Sequence, residues 1–390
     1  MKTTWVSIPE VLFFQEGPGV RNTQYTANGV KLLNVANLVD SKIDLSTSDR
    51  YISEEEAYGK YKHFLCDAGD FVIASSGIKV EYIDKKMGFV DASMLPLCMN
   101  TSTIRFKVLD KNKLRIRYFM YYLKSQHFKG QLFRQITGSA QLNYGPSHLK
   151  KMVIPLISLD EQDEIIACMD RVQNTIALRQ QELTYLDDLV KARFVEMFGF
   201  PGMDPFKYGK TKLGSCCEIN PKKTKDNRLV DNIEISFVPM TAVSEKGEID
   251  SSDVRRYEDV KKGFTYFTEG DVLFAKITPC MENGKGAVAK GLKNRIGFGS
   301  TEFHVLRPID GISNPYWVYA ITSFKSFRKE AESNMTGSAG QRRTPVSFLE
   351  NYEVALPPIE LQNQFADFVV RTGKSKLLEA WQAGFIAKIR

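Results

Sequence analysis

Gly69-Asp70-Phe71-Val72-Ile73-Ala74 recurs as Gly270-Asp271-Val272-Leu273-Phe274-Ala275, and Thr137-Gly138-Ser139-Ala140-Gln141 recurs as Thr336-Gly337-Ser338-Ala339-Gly340-Gln341. After the one-residue insertion the offset settles at 200 residues. Ser147 and Leu149 match Ser347 and Leu349, and Leu156-Ile157-Ser158-Leu159-Asp160-Glu161-Gln162 matches Leu356-Pro357-Pro358-Ile359-Glu360-Leu361-Gln362. Each copy also places an aromatic stretch before the Thr-Gly-Ser-Ala turn, Tyr118 to Leu123 and Tyr316 to Ile321. A period this long is not a solenoid repeat, whose units run to about 50 residues at most. It is a duplicated module, each copy a globular domain of about 155 residues followed by a helix.

Within each copy, alternating apolar segments such as Lys31–Ala36 and Ser300–Leu306 predict strands. The clusters Gly17-Pro18-Gly19 and Thr278-Pro279-Cys280 punctuate them. Helical patterning near 114–130 and 315–332 completes an α+β domain. The expected organisation is a first domain over 1–158, a central coiled-coil helix over 159–199, a second domain over 200–358 and a C-terminal coiled-coil helix over 359–390.

The segment 160–198 has a period of its own. Ile165, Met169, Val172, Ile176, Leu183, Leu186, Val190 and Met197 keep an alternating four-three spacing, with Arg179 and Arg193 at the two remaining seam positions. That is the heptad signature of a coiled coil. Asp160, Glu161, Asp163 and Glu164 favour the positive end of the helix dipole, and Gly199 with Pro201 ends the helix. Such a helix spans about 58 Å at 1.5 Å per residue and acts as a rigid spacer. The expected partner is the C-terminal helix, with Phe365, Phe368, Leu378, Trp381, Phe385 and Ile389, running antiparallel. Gly373 and Gly384 are expected to interrupt it. The alternative is that each helix packs on its own domain without pairing.

With 390 residues, 43% hydrophobic and 25% charged, the chain has the composition of a folded two- or three-unit protein. No apolar run approaches the ~20 residues of a membrane helix. The start Met1 to Glu10 lacks an apolar signal core, so a cytoplasmic location is expected. Six cysteines without a CxxC pair point to reduced thiols and not to zinc or a disulfide framework. The net charge of +7 is unevenly spread. Residues 1–159 carry 21 basic and 14 acidic side chains, 160–198 carry 4 and 9, and 199–359 carry 23 and 20. The basic excess therefore sits on the globular parts, which suits a polyanion partner.

No catalytic constellation emerges. There is no phosphate-binding Gly-x-x-x-x-Gly-Lys-Ser/Thr loop, and Gly284-Lys285-Gly286-Ala287 lacks the third glycine of a dinucleotide site. Asn314-Pro315-Tyr316 suits a helix start, with Asn as cap and Pro at the first position. Glu54-Glu55-Glu56 suits a helix opening after Ser53. His63, His127, His148 and His304 are scattered without metal-ligand spacing. Cys216-Cys217 has no histidine partner and is expected to be buried. No catalytic residue, metal ligand or bound cofactor is expected.

Recognition chemistry remains, in matched places. Gln341, Arg342 and Arg343 follow the second Thr-Gly-Ser-Ala turn and suit phosphate contacts and bidentate reading of purine edges. The first copy has Gln141, Asn143 and Tyr144 in the equivalent loop. Further candidates are Arg21 and Asn22 after the Gly17 turn, and Ser75, Ser76 and Lys79 past the Gly69-Asp70 strand. Their second-copy counterparts are Lys276, Thr278, Asn283 and Lys285. The frame is kept while the contact side chains differ, as expected of two modules reading different sequences.

These motifs, together with Leu189-Val-Lys-Ala-Arg-Phe-Val-Glu-Met-Phe-Gly199 and Leu356-Pro-Pro-Ile-Glu-Leu-Gln-Asn-Gln-Phe365, resemble the specificity subunits of type I restriction–modification systems. The resemblance covers essentially the whole chain. It implies a non-catalytic subunit that binds double-stranded DNA. Each domain would read half of a bipartite site, and paired helices would set the unread gap. It further implies two modification (methyltransferase) subunits using S-adenosylmethionine, and restriction subunits using ATP and Mg for translocation and cleavage. Two departures stand out: Ile157-Ser158 replaces the usual Pro-Pro, and the C-terminal helix ends early. The competing readings are a non-catalytic coiled-coil scaffold with duplicated protein-binding domains, and an enzyme with unrecognised motifs.

Overall fold

The computed structural model describes residues 4–77, 79–136, 144–201, 207–338 and 340–388, with side chains of the last helix described as far as Gly373. The chain divides into two compact units, Met1–Thr175 and Ile176–Arg390. The boundary falls inside the central helix and not at its ends, because the first turns of that helix pack on one domain and the last turns on the other.

The first unit opens with strand Thr4–Ser7, paired antiparallel to Val153–Leu156, so the two ends of the domain are clasped together. A four-stranded antiparallel sheet follows in the spatial order Leu12–Glu16, Thr103–Val108, Phe71–Ala74, Met87–Phe89. A smaller sheet pairs Val30–Leu33 antiparallel with Tyr51–Ile52 and parallel with Leu97–Met99. Helices Ile116–Lys124 and Gln126–Gln135 cover the larger sheet. Their aromatic residues supply its core: Phe119 stacks 4.9 Å from Phe106 on the central strand, and Phe128 lies edge-on to Phe119. Burying each such ring contributes about 1.5–3 kcal/mol. The phenols of Tyr118 and Tyr122 reach the Pro155 and Val153 carbonyls at 2.9 and 2.8 Å, tying this helix to the clasp.

The second unit repeats the plan. Its clasp is Lys210–Lys212 with Glu353–Ala355. Its main sheet runs Cys217–Ile219, Phe303–Pro308, Val272–Ala275, Gly286–Val288. Its smaller sheet has the same parallel pair, Glu234–Val238 beside Ile296–Gly299, flanked by Val254–Arg256. Thr265–Thr268 adds a fourth strand where the first unit has a single bridge, Leu65 to Cys98. Helices Pro315–Ser323 and Lys325–Ser333 again cover the main sheet. The expected α+β duplication is therefore present in the clasp, the main sheet, the parallel pair and the covering helices, with Asn314 capping the N–H of Tyr316 at 2.9 Å and Pro315 in the first turn.

The repeated Gly-Asp pair is a folding device. Gly69 and Gly270 both sit at φ +88°, in the left-handed region that favours glycine. The buried Asp70 accepts the N–H of Asp67 at 2.9 Å, and Asp271 accepts that of Thr268 at 2.7 Å. Each carboxylate is then ion-paired from the neighbouring strand, Asp70 to Arg105 and Lys107, Asp271 to Arg307.

The central helix runs unbroken from Leu159 to Phe198. Gly199 follows it at φ +84°. Gln162, Ile166 and Met169 face the first domain, and Val190, Phe194, Met197 and Phe198 the second. Ile165, expected on the seam, is exposed, whereas its neighbour Ile166 packs on the core. The other expected seam residues are half-buried. Phe365 of the last helix stacks on Phe194 and Phe198 at 5.4 and 5.6 Å. That last helix runs from Ile359 to Lys388 without a break. Gly373 and Gly384 therefore do not interrupt it, since a helical glycine costs about 1 kcal/mol and not the helix. The expected seam positions Leu378, Trp381 and Phe385 lie outside the described side chains, and Ile389 outside the described residues.

Candidate nucleic-acid interface

In each domain the main-sheet strand that follows Gly-Asp runs out into a loop, and the chain downstream of the Thr-Gly-Ser-Ala sequence is fastened to that exit. In the second unit the Thr344 N–H donates to the Lys276 carbonyl at 2.9 Å, and the Thr278 N–H to the Arg342 carbonyl at 3.0 Å. In the first, the Tyr144 N–H donates to the Ser75 carbonyl at 3.0 Å. The Ser75 N–H donates to Ser102 as the Lys276 N–H does to Glu302. Segments far apart in the sequence thus converge identically, and the pairs Ser75/Lys276, Ser102/Glu302 and Tyr144/Thr344 are equivalent.

A cation from the second covering helix holds the exit loop in both copies. Lys129 donates to the Glu81 carbonyl and to Asp84, both at 3.0 Å. The buried Arg328 donates to the carbonyls of Met281 at 2.8 Å and Gly284 at 3.3 Å while its guanidinium lies over Phe274. Burial pulls the Arg328 guanidinium down to about 10. Sequence reading missed both residues, although they sit near the 200-residue offset and could have been found as a matched cation pair.

Of the first-domain candidates, Arg21, Asn22 and Lys79 are exposed, and Ser76 is half-buried. The Gly17 loop flanks the same Asn100–Thr103 segment as the strand exit, through Gly17 N–H to Thr103 at 2.9 Å and Ser75 N–H to Ser102 at 2.8 Å. Ser75 and Tyr144 require correction as contact residues. Ser75 is buried with its hydroxyl on Glu16 at 3.1 Å, and the Tyr144 phenol is buried on the Ala74 carbonyl at 2.7 Å. Their polar atoms are consumed by the frame. Gln141 and Asn143 lie outside the described residues.

The second-domain candidates assemble more fully. Lys276, Thr278, Arg342 and Arg343 meet at the strand exit, and Gln341 and Asn283 are exposed beside it. The Thr278 hydroxyl donates to Glu282 at 2.7 Å. Arg342 lies 3.6 Å from Glu332 and 4.0 Å from Glu282. Lys285 turns inward to the Met240 carbonyl at 3.2 Å, which makes it a loop brace. Arg343 is gripped side-on by Glu302, Nε to Oε2 at 2.9 Å and a terminal nitrogen to Oε1 at 2.8 Å. This pairing lowers the Glu302 carboxyl below its ordinary range and raises the Arg343 guanidinium. Burial, reinforced by Arg343, lowers the Lys276 ammonium although Glu302 opposes the shift. Glu302 was not among the expected residues.

The histidines are structural. His127 stacks on Trp5, His63 on Phe64, and His148 accepts the Gly145 N–H at 3.1 Å. His304 is buried between Asn220 at 3.1 Å and the Thr344 carbonyl at 2.8 Å, and burial lowers its basicity. Among the described residues no group of histidine, cysteine and acidic side chains could hold a metal ion, and no helix is long and apolar enough to cross a membrane.

Comparison with known proteins agrees with this duplicated architecture. The EcoAI and EcoEI type I restriction enzyme specificity subunits of Escherichia coli are 47% identical over 159 residues and 43% over 147, which is 40% and 37% of this chain. Those stretches are 26% and 24% of the two relatives, so the matched part spans about a quarter of their length. Among solved structures, a chain from work on complex assembly and conformational transition of the type I R-M system is similar at a TM-score of 0.56 and 17% identity, covering 99% of this chain and 95% of that one. The type I S subunit from M. genitalium is similar at 0.51 and 12% identity, over 100% and 94%. Both likenesses are of fold. The type I restriction modification DNA specificity domain family matches residues 21–187 and 205–380, one match for each copy. The chain belongs to the type I restriction modification DNA specificity domain family and carries that domain twice.

Proposed function

We propose that this chain is the sequence-reading subunit of a type I restriction–modification assembly, with no catalytic activity of its own. The observation that carries this reading is the pair of strand-exit frames tied by the same backbone hydrogen bonds but bearing different side chains. Lys276 and Glu302 in one domain stand where Ser75 and Ser102 stand in the other, and in sequence Arg343 aligns with Asn143. A protein-binding scaffold gains nothing from conserving such a frame while exchanging neutral for charged side chains on it. Two domains that read different half-sites do.

In this reading each domain engages one half of a bipartite double-stranded DNA site. Arg21, Asn22, Lys79, Gln141 and Asn143 serve one half, and Lys276, Asn283, Gln341, Arg342 and Arg343 the other. The two long helices pair antiparallel and set the unread gap, with the Phe194–Phe365 contact as the point where pairing begins. Two modification subunits supply S-adenosylmethionine-dependent methylation, and restriction subunits supply ATP- and Mg-dependent translocation and cleavage. The assembly works in the cytoplasm.

The test is to co-purify the full chain with the methyltransferase subunits and map methylated adenines on random DNA. A split motif with one fixed gap is the expected result. A stable complex that methylates without sequence preference overturns the reading. Affinity should also fall steeply as salt rises, because phosphate contacts release counterions.

A further inference from the structure

We infer that Glu302 is a positioning residue that aims Arg343 at a guanine in the second half-site. This inference rests on the DNA-reading function proposed above. A guanidinium carries five N–H donors in a rigid plane. Three of those on Arg343 are engaged within the second domain: Nε and one terminal nitrogen on the Glu302 carboxylate, and the other terminal nitrogen on the Gln341 carbonyl at 3.1 Å. Two donors remain without a partner among the described residues, one on each terminal nitrogen. Two adjacent parallel donors are what the O6 and N7 atoms of guanine accept in the major groove, and no other base offers that pair of acceptors there.

The grip fixes more than the donors. Glu302 itself is anchored, since its backbone carbonyl accepts the Lys276 N–H at 2.9 Å and its own N–H donates to the Ser300 hydroxyl at 3.2 Å. Arg343 is anchored by a two-way bridge to Thr336, its N–H and carbonyl both paired at 2.8 and 3.0 Å. Both partners of the ion pair therefore stand on fixed backbone, while the Arg343 side chain is still 42% exposed. A pre-aimed arginine loses little side-chain entropy on meeting a base. Arg342 differs: its contacts to Glu332 and Glu282 are 3.6 and 4.0 Å and monodentate, which suits a phosphate contact and not base reading. The first domain has Ser102 in the place of Glu302, and its sequence has Asn143 at the position aligned with Arg343, so its sequence does not repeat this acid–arginine pair.

The experiment compares the full chain, Arg343→Lys and Glu302→Gln, each assembled with the methyltransferase subunits, by mapping methylated sites on random DNA. The wild-type second half-site is expected to contain a fixed guanine. Both variants are expected to lose preference at that one position, by at least about fivefold, while the first half-site stays sharp and so reports a folded assembly. The assignment is overturned if the variants leave every base preference intact. It is equally overturned if Arg343→Lys weakens binding uniformly across sequences. A wild-type assembly that selects no sequence in either half overturns the DNA-reading function itself. A wild type that selects both halves beside unchanged variants removes only the role given to Glu302 and Arg343.

Discussion

The side-chain oxygen of Gln162, in the first turn of the central helix, accepts the backbone N–H of Arg115 at 2.8 Å. Its amide nitrogen donates to the Lys113 carbonyl at 2.8 Å and to that of Ile157 at 3.0 Å. Gln362 repeats the arrangement on the N–H of Asn314 and the carbonyls of Ile312 and Pro357, at 2.9, 3.0 and 2.9 Å. Both glutamines are fully buried. The motif that ends each copy therefore locks the start of a long helix to the start of the aromatic helix of its domain.

Replacing Gln162 by Ala leaves one part-buried donor and two part-buried acceptors without their side-chain partner. Each such group costs about 1–3 kcal/mol when water cannot reach it. We expect a loss of about 3 kcal/mol in the first unit, and the same for Gln362→Ala in the second, measured by urea unfolding of the full chain. A loss below about 0.5 kcal/mol would show that water replaces the amide.

Two glycine substitutions separate backbone strain from steric exclusion. A Cβ on Gly270 meets nothing within 4 Å, so Gly270→Ala pays only for its positive φ and should cost about 1–2 kcal/mol. A Cβ on Gly299 would lie 2.1 Å from the Val238 carbonyl oxygen, across the parallel pair of the small sheet. Gly299→Ala should therefore prevent folding of the second domain. Circular dichroism of the two variants distinguishes the effects.

Stability of the second domain should fall on acidification through the histidine range. Burial lowers the His304 pKa, so the folded domain keeps the ring neutral where the unfolded chain, at 6.5, already binds a proton. The contribution is complete above about pH 6.5 and is lost as pH falls towards the folded value. Lys276 opposes protonation and Glu302 favours it, the lysine being the stronger. His304→Ile, with the residue that Ile104 supplies at the matching strand position, should flatten the slope of unfolding free energy between about pH 5 and 7.

Native thiol reactivity should be confined to two sites. Burial pushes Cys66, Cys98 and Cys217 up to about 12 and Cys216 up to about 11, leaving almost no thiolate at pH 8. Cys168 is exposed on the central helix and Cys280 is half-exposed. Brief maleimide treatment followed by peptide mass spectrometry should label Cys168 and Cys280, and the other four only after denaturation.

The duplication, the α+β class and the central helix with its Gly199 stop were all legible in the chain. Each is written in local periodicity, turn residues or self-similarity, and none needs a long-range partner to be recognised. Which of the candidate side chains face outward was only partly legible. Ser75, Tyr144 and Lys285 look like contacts because a polar side chain in a loop carries no mark of the direction it faces. Tertiary structure turned those three inward and made them braces. It also recruited Glu302, Arg328 and Lys129, which come from a turn and two helices remote in sequence. Their roles depend on which carbonyl or guanidinium lies within hydrogen-bond reach, and that is decided only when the sheet, the covering helices and the closing turn have packed together.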